Sequence, residues 1–412
     1  MKPVSVAIVG AGDRGRTYAD YCLAHPEEGK VVAVAEPIEA RRERMAAEHK
    51  IDPRYVFSSW RELIKKPRLA EAAVIGTQDR DHKKPAIALA RRGYHILLEK
   101  PMAPTAADCK AIVEAIKAAG VVFAVGHVMR YSPYFKRLKD FIDSGAIGEI
   151  VAIEHLEPVG YWHIAHSFVR GHWRNTEESS FMLLAKSCHD IDILRYLVGK
   201  PCVAVSSFGS LMHFRKERKP EGAGMRCVSC AIEPKCPYSA KKIYFTGKTD
   251  WPVCAITDDL TPEGIRKAVE TGPYGRCVYE CDNDVVDHQV VNLLYEGGAT
   301  ASFTMCGFTE MIGRQSRIMG TLGEIVGDRS GFRHYDFLTD KTTQYSPTTD
   351  AGYTGHGGGD EGLMREFLAA CTAKDPSMIK SGPDVTLETH LTVFAAEKAR
   401  LKGTVEKIKL SL

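Results

Sequence analysis

Residues 4–15 read VSVAIVGAGDRG, a small apolar strand running directly into Gly10, Gly12 and Gly15. That order, strand then G-x-G-x-x-G then helix, dictates what can follow. Gly10 permits the tight turn, Gly12 lets main-chain N–H groups approach a diphosphate, and Gly15 lets the helix lie close on the strand. The helix expected over roughly 16–24 turns its N-terminal dipole toward the same point, with Asp13 and Arg14 in the loop. A second strand, VVAVAE (31–36), ends in Glu36, about twenty residues on, where a carboxylate accepts from ribose hydroxyls. A glycine turn used only for packing would not need that carboxylate. The segment is a candidate dinucleotide site.

The first 127 residues alternate strands and helices, predicting a doubly wound parallel sheet. Helices are expected over 37–50, 83–93 and 106–120, and strands over 72–77, 94–101 and 121–127. Ligands in such sheets sit beyond the carboxyl ends of the strands, which places Thr77, Glu99, Lys100 and His127 at the cofactor's rim. Beyond about 150 the pattern becomes an apolar–polar alternation with turns such as Glu296-Gly297-Gly298, predicting a large, mostly antiparallel open sheet. Helices are expected around 187–198, 362–373 and 385–403. The expected organisation is α/β: a nucleotide domain over 1–127 and a substrate and oligomerisation domain over 128–412, carrying a Cys-, Gly- and Pro-rich insertion over about 216–281.

Composition narrows the function classes. The 412 residues are 44% hydrophobic and 26% charged with net charge +3, which implies no general field for nucleic acid or an anionic membrane. No apolar run approaches the ~20 residues that span a bilayer. Lys2-Pro3 passes straight into the first strand without a signal-peptide apolar region, so a cytoplasmic location is expected. The twelve cysteines then read as reduced thiols or metal ligands.

These pieces together resemble the Gfo/Idh/MocA family of nicotinamide-dependent oxidoreductases over nearly the whole chain. The resemblance rests on Glu99-Lys100-Pro101 at a strand end, on Gly76-Thr77 with His82 five residues later, on GHVMRYSPYF (126–135) and on RIMGTLGEIVGD. It implies a Rossmann domain and an α/β domain whose open sheet mediates a homodimer or homotetramer, with a sugar or cyclitol bound between domains. It implies that Lys100 sits beside the nicotinamide and the reacting hydroxyl, that Glu99 orients the cofactor ribose or Lys100, and that His82 lies at the cofactor rim. Arg130 and Tyr131 are substrate-side candidates within the matching arginine–proline segment.

LLAKSCHDIDILRYL (183–197) is similar to the family's D-x-G-x-H-x-I-D segment, with His189 at the histidine and Asp192 at the trailing aspartate. Helical spacing would put Lys186, His189 and Asp190 on one face. The sequence departs from the family where an aspartate usually stands: Ala185 occupies that position and Lys186 follows. Two lysines near the reacting centre suit an anionic substrate or an enolate-like intermediate. The stretch GYWHIAHSFVRGHWRN (160–175) suits a sugar-binding loop through His163 and Arg174, with Trp173 and Arg174 also at the cofactor. His356, opening HGGGD with Asp360 as the helix cap, is a further substrate candidate. Cys227, Cys230 and Cys236 with His213 could complete a structural zinc site, Cys254, Cys277 and Cys281 being replacements for the fourth ligand; free thiols or a disulfide formed on oxidation are the competing readings.

The function expected is hydride transfer between a ring carbon of a sugar or sugar derivative and NAD. Lys100 with His189 or Lys186 would handle the proton. Glu36 favours NAD over NADP, because a 2′-phosphate would meet its carboxylate. The alternatives are a glycosidase that keeps its NAD through an oxidation, elimination, hydration and reduction cycle, and a non-catalytic NAD and sugar sensor.

Overall fold

The computed structural model describes residues 2–328, 330–346 and 355–408. Strands β1 (Val4–Val9), β2 (Gly29–Ala35), β3 (Val56–Phe57), β4 (Ala72–Ile75), β5 (His95–Leu98) and β6 (Phe123–Val125) form a parallel sheet of order β3-β2-β1-β4-β5-β6. Helices α1 (Asp13–Ala24), α2 (Glu39–Glu48), α3 (Trp60–Leu63), α4 (Lys83–Ala90) and α5 (Ala106–Ala119) make the crossovers. Strand order reverses between β1 and β4, the crevice where a doubly wound sheet takes its ligand. β4 is buried along its whole length, as expected for a strand covered on both faces. Helix ends follow local chemistry: Thr105 accepts from the Asp108 N–H to open α5, and left-handed Gly120 (φ +62°) closes it.

After α6 (Pro133–Asp143) the chain enters a nine-stranded sheet, beginning with β7 (Ile150–Pro158). Three short helical pieces follow, α7 (Tyr161–Ile164), α8 (Met182–Ala185) and α9 (Cys188–Val198), then β8 (Cys202–Ser210). The insertion contributes α10 (Ala240–Tyr244) and α11 (Pro262–Thr271). Strands β9 (His288–Tyr295), β10 (Thr300–Cys306), β11 (Gln315–Gly320), β12 (Gly323–Asp328), β13 (Gly331–Asp336) and β14 (Lys341–Tyr345) continue the sheet. Helices α12 (Gly355–Ala373) and α13 (Pro383–Lys402) and strand β15 (Val405–Lys407) complete the described fold. The order is β14-β13-β12-β11-β7-β10-β9-β8-β15, antiparallel except where β10 runs parallel to β7. Gly297 and Gly298, both left-handed, make the predicted β9–β10 turn.

Alternation decides which face is core. Val291, Leu293, Ala301, Phe303 and Met305 point inward, while Leu294 and Val405 stay exposed on the open face. The last two helices tie the sheets together. Leu363, Met364 and Phe367 of α12 pack with Val6, Ile8 and Val31 of the parallel sheet. On α13, Leu387 packs with the first sheet's core and Val393 with the second's.

The histidine-rich stretch is not the open loop that was expected. α7 runs into a wide π-type turn over Ala165–Arg170, and His163, His166 and Arg170 are buried. Its polar groups form the platform for the insertion: His166 Nδ1 meets Tyr244 Oη at 2.8 Å, and Arg170 donates to the carbonyls of Tyr238 (2.7 Å) and Arg276 (2.8 Å). The insertion then closes around a small apolar cluster of its own, including Tyr244, Val253, Ile265 and Val269.

Candidate functional site

The glycine loop has the shape a diphosphate needs. Gly10 is left-handed (φ +92°), and a Cβ on Gly15 would lie 1.9 Å from the Gly10 carbonyl oxygen. In front of Gly12 the nearest atom to such a Cβ is Arg41 Nη1 at 3.9 Å, so the amide face is open. Glu36, at the end of β2, is fixed by the N–H groups of Ala11 (2.7 Å) and Ile38 (2.9 Å). Thr77 Oγ1 is buried at the rim without a protein partner, a hydroxyl for which a ligand supplies the natural complement. Asp13 opens α1. These residues fit a dinucleotide.

Other predicted cofactor residues do something else. His82 sets Nδ1 and Nε2 against the carbonyls of Pro101 (2.8 Å) and Thr77 (3.1 Å), so it clips two strand ends together instead of facing the crevice. His127 is fully buried beneath His189, with ring centroids 5.9 Å apart. Burial, partly offset by Asp192, pulls His127 down to about 4. Arg174 is held by Asp282 (2.8 Å) and Glu178 (2.8 Å), and it lines a cavity of about 460 Å³ with Arg170, Arg226 and Arg276 on the insertion side. Trp173 packs on His172 and Phe168. Arg174 therefore faces the insertion, and Trp173 packs within its own segment.

Lys100 follows β5 and donates from Nζ to the carbonyl of Ala185 at 2.8 Å. In a continuing helix that carbonyl would take the N–H of His189. The helix breaks instead at Lys186 and Ser187 (φ −98°, ψ 8°), and α9 starts afresh at Cys188. Lys186 therefore precedes α9, outside the helix that carries His189 and Asp190. Lys186 reaches Glu157 (3.1 Å). Asp190 is sealed under Arg314 (2.5 Å) and His155 (3.1 Å), leaving it no part at the substrate surface. Arg314 also bonds Glu157 at 2.9 Å, so this carboxylate bridges two cations.

Electrostatics bind these groups into one neighbourhood. His189 is 4% exposed with Nδ1 unpartnered, and burial followed by the Lys100 charge drives it well below the usual imidazole range. His163, likewise depressed by burial, also feels Lys186 and Lys100. Burial lowers Lys186, with Glu157 opposing and Arg314 and Lys100 adding to the effect. Burial works to raise Asp190, but Arg314 and His155 outweigh it and hold the carboxyl below its ordinary range. Asp192 does not orient His189. It accepts both arms of Arg130, at 2.6 and 2.7 Å.

Arg130 is therefore an anchor, with an Nη1 N–H going to the Lys380 carbonyl at 3.0 Å. Tyr131 is equally engaged, its hydroxyl between the Ser381 Oγ (2.8 Å) and N–H (2.9 Å). Arg14 reaches away from the loop, donating to Glu99 (2.9 Å), Tyr18 (2.8 Å) and Asp360 (2.5 Å). Asp360 is no helix cap, because its second oxygen meets His356 Nδ1 at 3.0 Å. His213 stands apart from the expected zinc set, its Nε2 meeting Tyr279 Oη at 3.0 Å, whereas Cys236 lies near enough to Cys227 and Cys230, and Cys277 to Cys227, for their charges to act on one another. Among the described residues, the only three metal-type ligand atoms within 4.8 Å of one another belong to His25, Glu27 and Glu28. Glu157, Arg314 and His155 were missed from sequence, since each reads as an ordinary polar residue of an alternating segment.

Comparison with known proteins agrees with this architecture. The profile of the oxidoreductase family, NAD-binding Rossmann fold (GFO_IDH_MocA), matches residues 4–127, and its C-terminal alpha/beta domain profile matches 139–360. The oxidoreductase YteT of Bacillus subtilis is 25% identical over 322 residues, covering 74% of this chain and 73% of that protein. The 2,7-anhydro-N-acetylneuraminate hydratase of Escherichia coli is 28% identical over 211 residues, 51% of this chain, which spans 54% of the hydratase's length. Levoglucosan dehydrogenase in complex with NADH and levoglucosan superposes with TM-score 0.74 at 19% identity, covering 99% of this chain and 100% of that one. No helix among the described residues is long and apolar enough to cross a membrane.

Proposed function

Since this chain belongs to the Gfo/Idh/MocA family of NAD-binding oxidoreductases, we propose that it is an NAD-dependent enzyme oxidising a ring carbon of a sugar or sugar derivative. One observation carries the assignment. Among the described residues, Lys186, Arg314 and Arg14 each form an ion pair with a carboxylate, whereas the Lys100 ammonium rests on the neutral carbonyl of Ala185. Lys100 is the cation left to answer a negative charge that develops on substrate.

Gly10, Gly12, Gly15 and Thr77 hold the dinucleotide, and Glu36 receives its ribose hydroxyls. Bound there, the nicotinamide supplies the hydride acceptor. Lys100 keeps two ammonium protons for the reacting oxygen and stabilises the alkoxide as its C–H bond breaks. His189, kept neutral by burial, accepts the hydroxyl proton. His163 and Lys186 line the substrate side. Residues 1–127 and 128–412 act as the cofactor and substrate portions, and the open sheet face with Leu294 and Val405 joins two copies. A cytoplasmic location fits the cofactor.

A second reading is favoured by the loss of the usual aspartate to Ala185 beside Lys186 and by the hydratase among the relatives: oxidation, elimination, hydration and return of the hydride, with no net redox change. Holoenzyme is incubated with levoglucosan, scyllo-inositol and p-nitrophenyl glycosides of neutral, N-acetylated and uronic sugars. Reduced nicotinamide accumulating with sugar consumed establishes the dehydrogenase. Aglycone released without net reduced nicotinamide establishes the redox-neutral cycle. No conversion of any sugar, with intact NAD binding, would favour the sensor.

A further inference from the structure

The insertion between β8 and β9 has little of its own to hold it together. Over 216–281 it contributes the short helices α10 and α11, one isolated bridge between Arg226 and Arg276, and no strand of either sheet. Its apolar cluster has seven buried members, too few to fix a stretch of this length in one shape. Loop-rich segments with so small a core are stapled by disulfides or by a metal. All twelve cysteines are free, and six of them fall in this segment.

Three of the six are strung on successive tight turns. The N–H groups of Cys230, Glu233 and Cys236 donate to the carbonyls of Cys227, Cys230 and Glu233, at 3.4, 3.2 and 3.0 Å. The bridge brings a fourth alongside, Cys277 donating its N–H to the Met225 carbonyl at 2.9 Å. Beside them is a buried cation. Arg170, 1% exposed, sets Nη2 3.4 Å from Cys227 Sγ, and its charge reaches Cys236 and Cys277. Its Nε and Nη2 otherwise meet main-chain carbonyls, and its Nη1 is buried without a partner. Among the described residues Arg170 forms no ion pair with a carboxylate. A buried guanidinium without a counter-charge is strongly destabilising. Neutral thiols supply none, and thiolates do. Gly224 adds a main-chain donor, its N–H meeting Cys230 Sγ at 3.3 Å.

We infer that Cys227, Cys230, Cys236 and Cys277 bind one zinc ion in a closed tetrahedral site that staples the two ends of the insertion. Binding replaces four S–H bonds by four Zn–S bonds and releases the four protons to solvent. The thiolates then outweigh the charge of the ion, and the excess negative charge lies beside the Arg170 guanidinium. Cys281 is outside the set, its Sγ donating to the Cys277 carbonyl at 3.3 Å. His213 is outside it too, held by Tyr279. As thiols, no three of the sulfurs lie within 4.8 Å of one another. Binding therefore takes rotation about Cα–Cβ, each rotamer step of which moves a sulfur by about 3 Å. Zinc is the metal assigned because four thiolates alone complete it, whereas an iron–sulfur cluster needs inorganic sulfide as well. The site takes no step in the hydride chemistry. It fixes the insertion on the platform that His166 and Arg170 provide.

The full chain, purified under reductant from cells supplied with zinc, is analysed by inductively coupled plasma mass spectrometry, and about one zinc per chain is expected. Zinc-edge X-ray absorption of this wild type should show sulfur alone around the ion, at about 2.3 Å. A shell containing nitrogen or oxygen, or a zinc content that stays far below stoichiometric after zinc chloride is added, would overturn the proposal. So would iron with acid-labile sulfide, or a disulfide among the four cysteines. Cys236→Ser and Cys277→Ser should each bind zinc at least about 100-fold more weakly in competition with a chromophoric chelator, while Cys281→Ser and His213→Gln bind it as wild type does. Zinc held undiminished by Cys277→Ser, or lost from His213→Gln, refutes this ligand set. If the cysteine variants do not fold, the absorption spectrum of the wild type decides. Chelation of the wild type should open 216–281 to trypsin, and an unchanged cleavage pattern would remove the stapling role.

Discussion

Replacing Arg130 separates an anchor from a substrate contact. Its guanidinium gives two N–H groups to Asp192, at 2.6 and 2.7 Å, and a third to the Lys380 carbonyl at 3.0 Å, at 3% exposure. Arg130→Met leaves the Asp192 carboxylate buried with Thr389 Oγ1 at 3.1 Å as its remaining hydrogen-bond donor. Breaking one side of such a pair costs about 3–5 kcal/mol, mostly the desolvation of the charge left behind. An unfolding entropy of about 2.1 cal/mol/K per residue, taken over 412 residues, gives about 0.9 kcal/mol per degree, so Tm should fall by about 3–6 °C. Arg130→Met with Asp192→Leu, which removes both charges, should recover most of that loss. Differential scanning calorimetry reads the shift, and NAD affinity should stay as in wild type. An unchanged Tm together with a raised KM would refute the reasoning, since Arg130 would then be reaching substrate.

Lys100→Met should lower turnover by about 10²–10³-fold or more while calorimetric NAD affinity is retained; undiminished turnover would remove Lys100 from the chemistry. Glu36→Ala should weaken NAD and narrow its advantage over NADP by roughly 10–100-fold, the worth of a charge-assisted hydrogen bond, measured by fluorescence titration with each dinucleotide. Buried imidazoles set an acid limit. His127 lies at about 4 against an ordinary 6.5, so between those values the unfolded chain binds the extra proton and stability falls as pH falls. At 1.36 kcal/mol per unit this amounts to about 3 kcal/mol for His127, with His166 and His390, each at about 3, adding to it. Tm recorded from pH 7 to pH 4 should drop through this window, less steeply in His127→Gln, and a flat profile would contradict the burial.

What could be read from the sequence was what is local in the chain. The glycine loop, the strand ending at Glu36, and Lys100 at the end of β5 each declare themselves within a dozen residues, because strand, turn and helix chemistry act at that range. The wall opposite Lys100 is different. Glu157 and Arg314 are brought together by the pairing of β7 with β11, where Leu156 faces Gln315 and His155 faces Ser316. No spacing in the sequence encodes that register. A helix start near 187 was legible, but the partner of the Ala185 carbonyl was not, because the Lys100 ammonium that takes it comes from 85 residues away. The replacement of an aspartate by Ala185 then becomes intelligible. A carboxylate side chain at 185 could pair with Lys100 and neutralise it. With alanine there, a main-chain carbonyl positions the ammonium without cancelling its charge, and the nearby carboxylates Glu157 and Asp190 are already engaged by Lys186, Arg314 and His155. On the proposed reading Lys100 keeps an ammonium without an ion pair of its own among the described residues, with Glu99 as the neighbouring carboxylate that feels its charge. Ala185→Asp should therefore lower turnover by pairing that charge, although it restores the family's usual residue; a gain in turnover would mean that Lys100 works better with a carboxylate beside it.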